Sequence, residues 1–155
     1  MLPKYVQGLV LGAIGGLPLM LETILATAYV ADYDKRPDIE RFTIREVLAH
    51  LADWDAVWTD RVNLILIEDN PSFSRLDPSQ MAIDRDYAHF DYLESLRRIA
   101  DNRIKLVALF EGLSDEQWDR TGTLVMGPVS VEQLATMAIV HDNYHMRQIA
   151  EWLKP

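Results

Sequence analysis

Two histidines stand four residues apart in the stretch IVHDNYHMRQIAEWL, residues 139–153, inside an otherwise apolar helical pattern. His141 and His145 share a face with Val131, Leu134, Ala138, Ile149 and Trp152, because positions three and four apart stack on one side of a helix. Two imidazoles placed this way can ligate one metal ion. The competing reading is a pair of core histidines, each of which then needs a hydrogen-bond partner.

A third imidazole shifts the balance toward metal. His50 lies in REVLAHLADWDAVW, with Val47 three residues before it and Trp54 four after it, so it borders a second apolar stripe. Three neutral imidazoles with open coordination positions suit a divalent first-row ion, nickel or zinc. The fourth histidine, His89 in DYAHFDY, reads as a surface or structural group. The chain has no cysteine, which excludes disulfides, thiolate ligands and a cysteine nucleophile, and agrees with a cytoplasmic location.

Few partners for catalysis surround the histidines. Asp53, Asp55 and Asp142 flank them and are candidates for bases or for groups that orient the ligands. Their favoured reading is as solvated acids on helix surfaces. Trp54 is expected to form a pocket wall and Trp58 to belong to the core. Gln148, one turn past Tyr144, is expected at the pocket rim, and Arg147 is the candidate to hold a substrate carboxylate. Tyr144 reads as packing, and no serine, threonine or tyrosine nucleophile motif is present.

The elements that must carry these residues are nearly all helical, since strand-like alternation is nowhere sustained. A first helical region covers about 4–30, broken near Gly15–Gly16 ahead of Pro18, and a polar loop DYDKRPD follows at 32–38. Thr43 and Glu46 form a capping box that starts the second helix, with Ile44, Leu48, Leu51, Trp58, Val62 and Ile65 as its stripe. The third helix is expected over about 85–111, with Phe90, Leu93, Ala100, Ile104 and Val107 inward and Gly112 closing it. Ser114 with Gln117 and Ser130 with Gln133 are two further capping boxes. They open a short turn of helix and the last long helix, on either side of a loop or small hairpin at 119–128.

The link over about 68–85 is long enough to travel the length of the bundle. The expected fold is therefore all-α, one domain over 1–155: a four-helix bundle with a long crossover between the second and third helices. Net charge is −9, and no run of lysine and arginine offsets it, so nucleic acid and anionic membranes are not expected partners. The apolar run GLVLGAIGGLPLML at 8–21, with Lys4 before it and ATA after it, can be drawn as a signal peptide. Pro18, Glu22 and its short length favour a buried helix.

These parts together resemble the DinB-like superfamily along essentially the whole chain: FTIREVLAHLADWD, a proline-containing crossover, LSDEQWDRTG, and GPVSVEQLATMAIVHDNYHMRQIAEWL. The resemblance implies a four-helix bundle with a long crossover and a divalent metal held by His50, His141 and His145. It also implies a metal-dependent enzyme of the thiol S-transferase type, acting on a small molecule with a low-molecular-weight thiol. A metal-dependent hydrolase or a noncatalytic metal-binding domain is the alternative. A homodimer is expected from the resemblance and from an apolar excess on the first two helices, to which Ala28, Trp54 and Val57 are too few to testify alone.

Overall fold

The computed structural model describes residues 2–154. Seven helices and one hairpin are found among them: α1 (Lys4–Gly15), α2 (Leu17–Leu25), α3 (Ile44–Ile67), α4 (Pro78–Asp84), α5 (Tyr92–Glu111), α6 (Asp115–Asp119), β1 (Thr121–Leu124), β2 (Gly127–Ser130) and α7 (Val131–Trp152). The α1–α2 pair, α3, α5 and α7 make a four-helix bundle. All three capping boxes close: Thr43, Ser114 and Ser130 each accept the backbone N–H three residues on, and Glu46, Gln117 and Gln133 return the bond.

Cross-helix bonds fix the directions. Arg45 Nη1 donates to the Phe90 carbonyl at 3.0 Å, Arg98 Nη2 meets Asp53 at 2.7 Å and Arg103 Nη2 meets Asp55 at 2.7 Å. Sequence thus advances the same way along α3 and α5. Helix α7 runs against them: its end lies at the start of α3, where Trp152 Nε1 donates to the Phe42 carbonyl at 3.0 Å. Its start lies at the other end, since Val131 N–H bonds to Arg120, whose guanidinium reaches the Ile65 carbonyl. Helix α1 runs beside α7 in the same sense, with Leu2 bonded to Glu132 and the Ile14 carbonyl to Arg103.

The parallel α3–α5 pair needs a connection that returns along the bundle. Residues 68–91 provide it, and they are less structureless than the proline content suggests. Asp77 caps the short helix α4 by accepting from the N–H groups of Ser79 and Gln80. Phe73 N–H donates to the Thr123 carbonyl and Thr123 N–H to the Pro71 carbonyl, at 2.9 and 2.8 Å, which fastens the link to the hairpin. Helix α5 accordingly begins at Tyr92, later than the 85 expected.

The inner face of α5 is a correction to the sequence reading. Leu93 and Ile104 are exposed, while Ser95, Ile99, Arg103, Leu106 and Phe110 are buried. An arginine occupies a core position, so a stripe drawn through apolar residues alone comes out of phase. In the N-terminal region, α2 ends at Leu25 and part of the expected polar loop forms a 3₁₀ turn over Val30–Asp34. The α1–α2 pair bends by about 40° at its break. No single described helix is long and apolar enough to cross a membrane, and Ile14, Leu17, Leu21 and Leu25 are buried against the bundle.

Buried apolar residues fall into two clusters, one containing Trp58, Val62, Leu106 and Ala138, the other Leu21, Leu48, Ile99 and Ile149. On α7 the buried Asp142 and His145 fall between the residues of the first cluster and those of the second, on α5 Arg103 falls between Ile99 and Leu106, and on α3 His50, Asp53 and Asp55 lie where one cluster gives way to the other. These polar groups form a layer across the bundle between its two apolar halves.

Candidate metal centre

Helix α3 contributes His50 and α7 contributes His141 and His145. One ring nitrogen from each lies within 4.8 Å of the other two, and His50 Nε2 is 2.9 Å from His141 Nε2. The third ring is oriented by Gln148: its Oε1 lies 3.3 Å from His145 Nδ1, while its Nε2 donates to the Phe42 carbonyl at 2.7 Å. That partner assigns the His145 proton to Nδ1 and leaves the Nε2 lone pair facing the other rings. Gln148, expected at the pocket rim, lines the cleft in front of the three histidines while being largely buried and holding His145. Trp54 stacks on His141, with ring centroids 5.6 Å apart and planes 18° apart, and Trp58 meets the same ring edge-on at 6.0 Å.

Burial makes His50 and His145 hard to protonate. It pushes His50 down to about 2, with the neighbouring His145 and His141 adding to the effect, and pushes His145 down to about 3. Both rings are therefore neutral ligands at neutral pH. In a metal-free site, the 2.9 Å contact requires one Nε2 to donate and the other to accept. His50 Nδ1 and His141 Nδ1 have no hydrogen-bond partner among the described residues, and both rings turn their Nε2 toward the shared centre. Three Nε2 atoms around one tetrahedral ion at about 2.0–2.1 Å each would lie about 3.3 Å apart. The observed spacings, from 2.9 Å to within 4.8 Å, bracket that value, so the donor set fits a divalent ion.

The depressed histidines make stability depend on pH. An unfolded histidine titrates near 6.5, so below that pH the unfolded chain takes up protons that buried His50 and His145 refuse, and stability falls as pH falls. Asp55, pushed up to about 7 by burial, works in the opposite direction. A His50→Gln variant isolates one histidine from this background. Between pH 7.5 and 5.5 the metal-free wild type should lose about 1.4 kcal/mol more than the variant, read from urea midpoints.

The three acids are not solvated. Arg103, 1% exposed, binds Asp142 through two bonds of 2.6 and 2.8 Å, Asp55 at 2.7 Å and the Ile14 carbonyl at 3.2 Å. It thereby joins α1, α3, α5 and α7. Asp53 is held by Arg85, Arg98 and the Tyr87 hydroxyl at 2.9, 2.7 and 2.7 Å. The expectation of surface acids fails because three arginines from the crossover and α5 fold over them. These carboxylates are committed to arginine and stand behind the ligands; none lines the clefts in front of them.

Two clefts open onto the histidines and share Trp54, His141 and Tyr144. The smaller, about 290 Å³, reaches all three histidines and includes Glu40, Arg41 and Gln148. The larger, about 580 Å³, is walled by Trp58, residues Ser74–Leu76 of the crossover and the hairpin tip Leu124–Met126, and includes Arg61. Arg147 is exposed on α7 and lines neither cleft. His89 is exposed and paired with Asp86 at 2.7 Å, away from the other histidines. Arg41, Arg61, Arg75 and Arg103 were not singled out by sequence. Arg103 carried a usable signal, a charge on the Ile99–Leu106–Phe110 stripe facing two acids on other stripes.

A helical bundle that brings three histidines of two helices to the floor of one cleft, with His141 shared by a second, defines a class of protein. The DinB superfamily model matches residues 18–149, and the chain belongs to that superfamily. Among solved structures it is similar to YfiT from Bacillus subtilis, described as a probable metal-dependent hydrolase with an unusual four-helix bundle topology. The TM-score is 0.91 at 21% identity, over 98% of this chain and 88% of that one. Among curated proteins no sequence matches significantly.

Proposed function

We propose that the protein is a metal-dependent enzyme. His50, His141 and His145 hold a nickel or zinc ion, and the sulfur of a low-molecular-weight thiol bonds to the electrophilic carbon of a small molecule, the thiol proton departing with the group displaced. Bound there, the ion supplies Lewis acidity, lowering the pKa of a coordinated thiol or water and polarising a carbonyl. The observation that carries the thiol reading is the pair of clefts meeting at His141. Two clefts that adjoin at His141 can seat two organic reactants side by side, one in each.

The chain's own residues would divide the work. His50 and His145, kept neutral by burial, give their lone pairs without competition from protons. Gln148 fixes the His145 ring. Trp54, shared by both clefts, walls the junction and excludes water. Arg41, over the Tyr144 and Trp152 rings at 5.7 and 4.5 Å and paired with Glu151 at 2.9 Å, sits in the smaller cleft, where a carboxylate of the thiol would share it with Glu151. No cysteine is present to serve as the nucleophile, so the sulfur must come with the substrate. A free thiol with pKa near 8.5 is only a few per cent ionised at neutral pH, so complete ionisation alone provides roughly tenfold or more.

Water in place of thiol is the second reading, favoured by the likeness to YfiT with its described hydrolase character. Titrating glutathione, bacillithiol and mycothiol into cobalt-loaded protein separates the two. A sulfur-to-metal charge-transfer band with one of them is expected. No band and no turnover with any thiol, together with ester or amide hydrolysis, would establish the second.

A homodimer is proposed as well. Tyr5, Leu9, Leu19 and Met20 leave apolar surface on α1 and α2, whereas Trp54 is buried within the chain and unavailable for a contact between chains. Light scattering at high micromolar concentration should give twice the chain mass; a monomer at that concentration rules the dimer out.

A further inference from the structure

Of the chain's arginines, Arg36, Arg41, Arg45, Arg85, Arg97, Arg98, Arg103 and Arg120 each donate to a protein oxygen. Arg61 and Arg75 make no protein hydrogen bond or ion pair among the described residues, and both line the larger cleft. Arg61 is half-buried. Its guanidinium stands 5.7 Å from the ring centroids of both Trp58 and Phe73, and burial lowers its pKa. In a chain of net charge −9, a partly desolvated cation without a carboxylate partner is out of character.

The rest of that cleft is mainly apolar, with Ser74, Thr136, His141 and Tyr144 as its other polar side chains. Trp54, Trp58, Leu124, Met137 and Val140 wall it, no acidic residue lines it, and its volume of about 580 Å³ falls in the range of small-molecule sites. The hairpin tip keeps Val125 and Met126 exposed at 73% and 84%, on the side where a ligand would pass. Apolar walls with two unpartnered guanidiniums describe the complement of an amphipathic anion: an apolar body bearing one carboxylate or similar group.

We propose that the larger cleft binds such an anion, its acidic group on Arg61 with Arg75 beside it and its apolar body extending between the tryptophans toward His141. Arg61 is the specificity-determining residue, because the planar fork pairs with a carboxylate through two bonds while stacked between rings. That this ligand is the electrophilic substrate rests on the metal-enzyme reading; that the cleft selects it does not.

The test uses octanoate, octan-1-ol and octylamine as probes of one apolar body with three head groups. Binding to the full chain is followed by tryptophan fluorescence, since Trp54 and Trp58 line the cleft, in metal-stripped and zinc-loaded protein. Octanoate should bind at least tenfold more tightly than the alcohol in the stripped protein, the amine should bind weakest, and Arg61→Gln should abolish the preference for acid. Arg75→Gln should reduce it several-fold, and raised salt should weaken octanoate alone, so the result stands even if one variant folds poorly. Equal affinity for acid and alcohol in stripped wild type overturns the proposal. So does an acid preference that needs zinc and survives Arg61→Gln, which would place the carboxylate on the metal. A chain that binds no metal yet prefers octanoate through Arg61 would instead remove the enzymatic reading and leave this one.

Discussion

Arg103→Met should destabilise the protein by about 3–5 kcal/mol, the cost of removing one partner from a buried ion pair. The mechanism is the desolvation of what remains. Asp55 is 0% exposed and Asp142 6%, and without the guanidinium the two buried acids face each other, so one must take up a proton or stay charged and unpaired. Domains of this kind have about 5–15 kcal/mol of stability in total, so the variant stands near the threshold of folding. Arg103→Lys keeps the charge but cannot reach both carboxylates and the Ile14 carbonyl with one ammonium, and should fall in between. Neutralising both acids in the Met background, with Asp55→Asn and Asp142→Asn, should recover part of the loss. Urea unfolding of the series reads these differences. A loss below about 1 kcal/mol for Arg103→Met would mean that the network does not hold the four helices together.

The same arginine marks the limit of what the sequence discloses. Capping boxes at Thr43, Ser114 and Ser130 announce three helix starts because a short-range exchange of hydrogen bonds decides them. Three-and-four spacing places His141 and His145 on one face of α7 for the same local reason. The phase of α5 is not local. Its inward face includes Arg103 only because Asp55 and Asp142 arrive from α3 and α7, and hydrophobicity taken alone puts Leu93 and Ile104 inside. Asp53 misleads similarly: alone it is a surface acid, and it becomes buried once Arg85, Tyr87 and Arg98 close over it. The cleft arginines were illegible too. Arg61 and Arg75 are ordinary surface charges until the crossover folds back over α3 and the hairpin closes against it. Arg147, adjacent to the histidine motif in sequence, points away from both clefts because neighbours on a helix do not share a face.

His50→Ala should reduce affinity for zinc or nickel at least tenfold, with the fold retained by circular dichroism. The reason is geometric. His141 and His145 belong to one helix and supply two donors, and the third comes only from α3. Losing one imidazole removes a metal–nitrogen bond, where a lost outer-shell partner already costs about 10- to 100-fold. His89→Ala is the matched control. It removes a histidine that is exposed and bonded to Asp86, and should leave metal content unchanged. Loss of metal in His89→Ala, or full affinity in His50→Ala, would move the site elsewhere.

The most direct measurement is X-ray absorption at the zinc edge of stoichiometrically loaded protein. A first shell containing three imidazole nitrogens at about 2.0–2.1 Å is predicted, with one or more light-atom positions left for water or substrate, and the imidazole count should fall to two in His145→Ala. A shell of oxygens without the outer-ring scattering of imidazole, or a shell that His145→Ala leaves unchanged, would contradict the three-histidine centre.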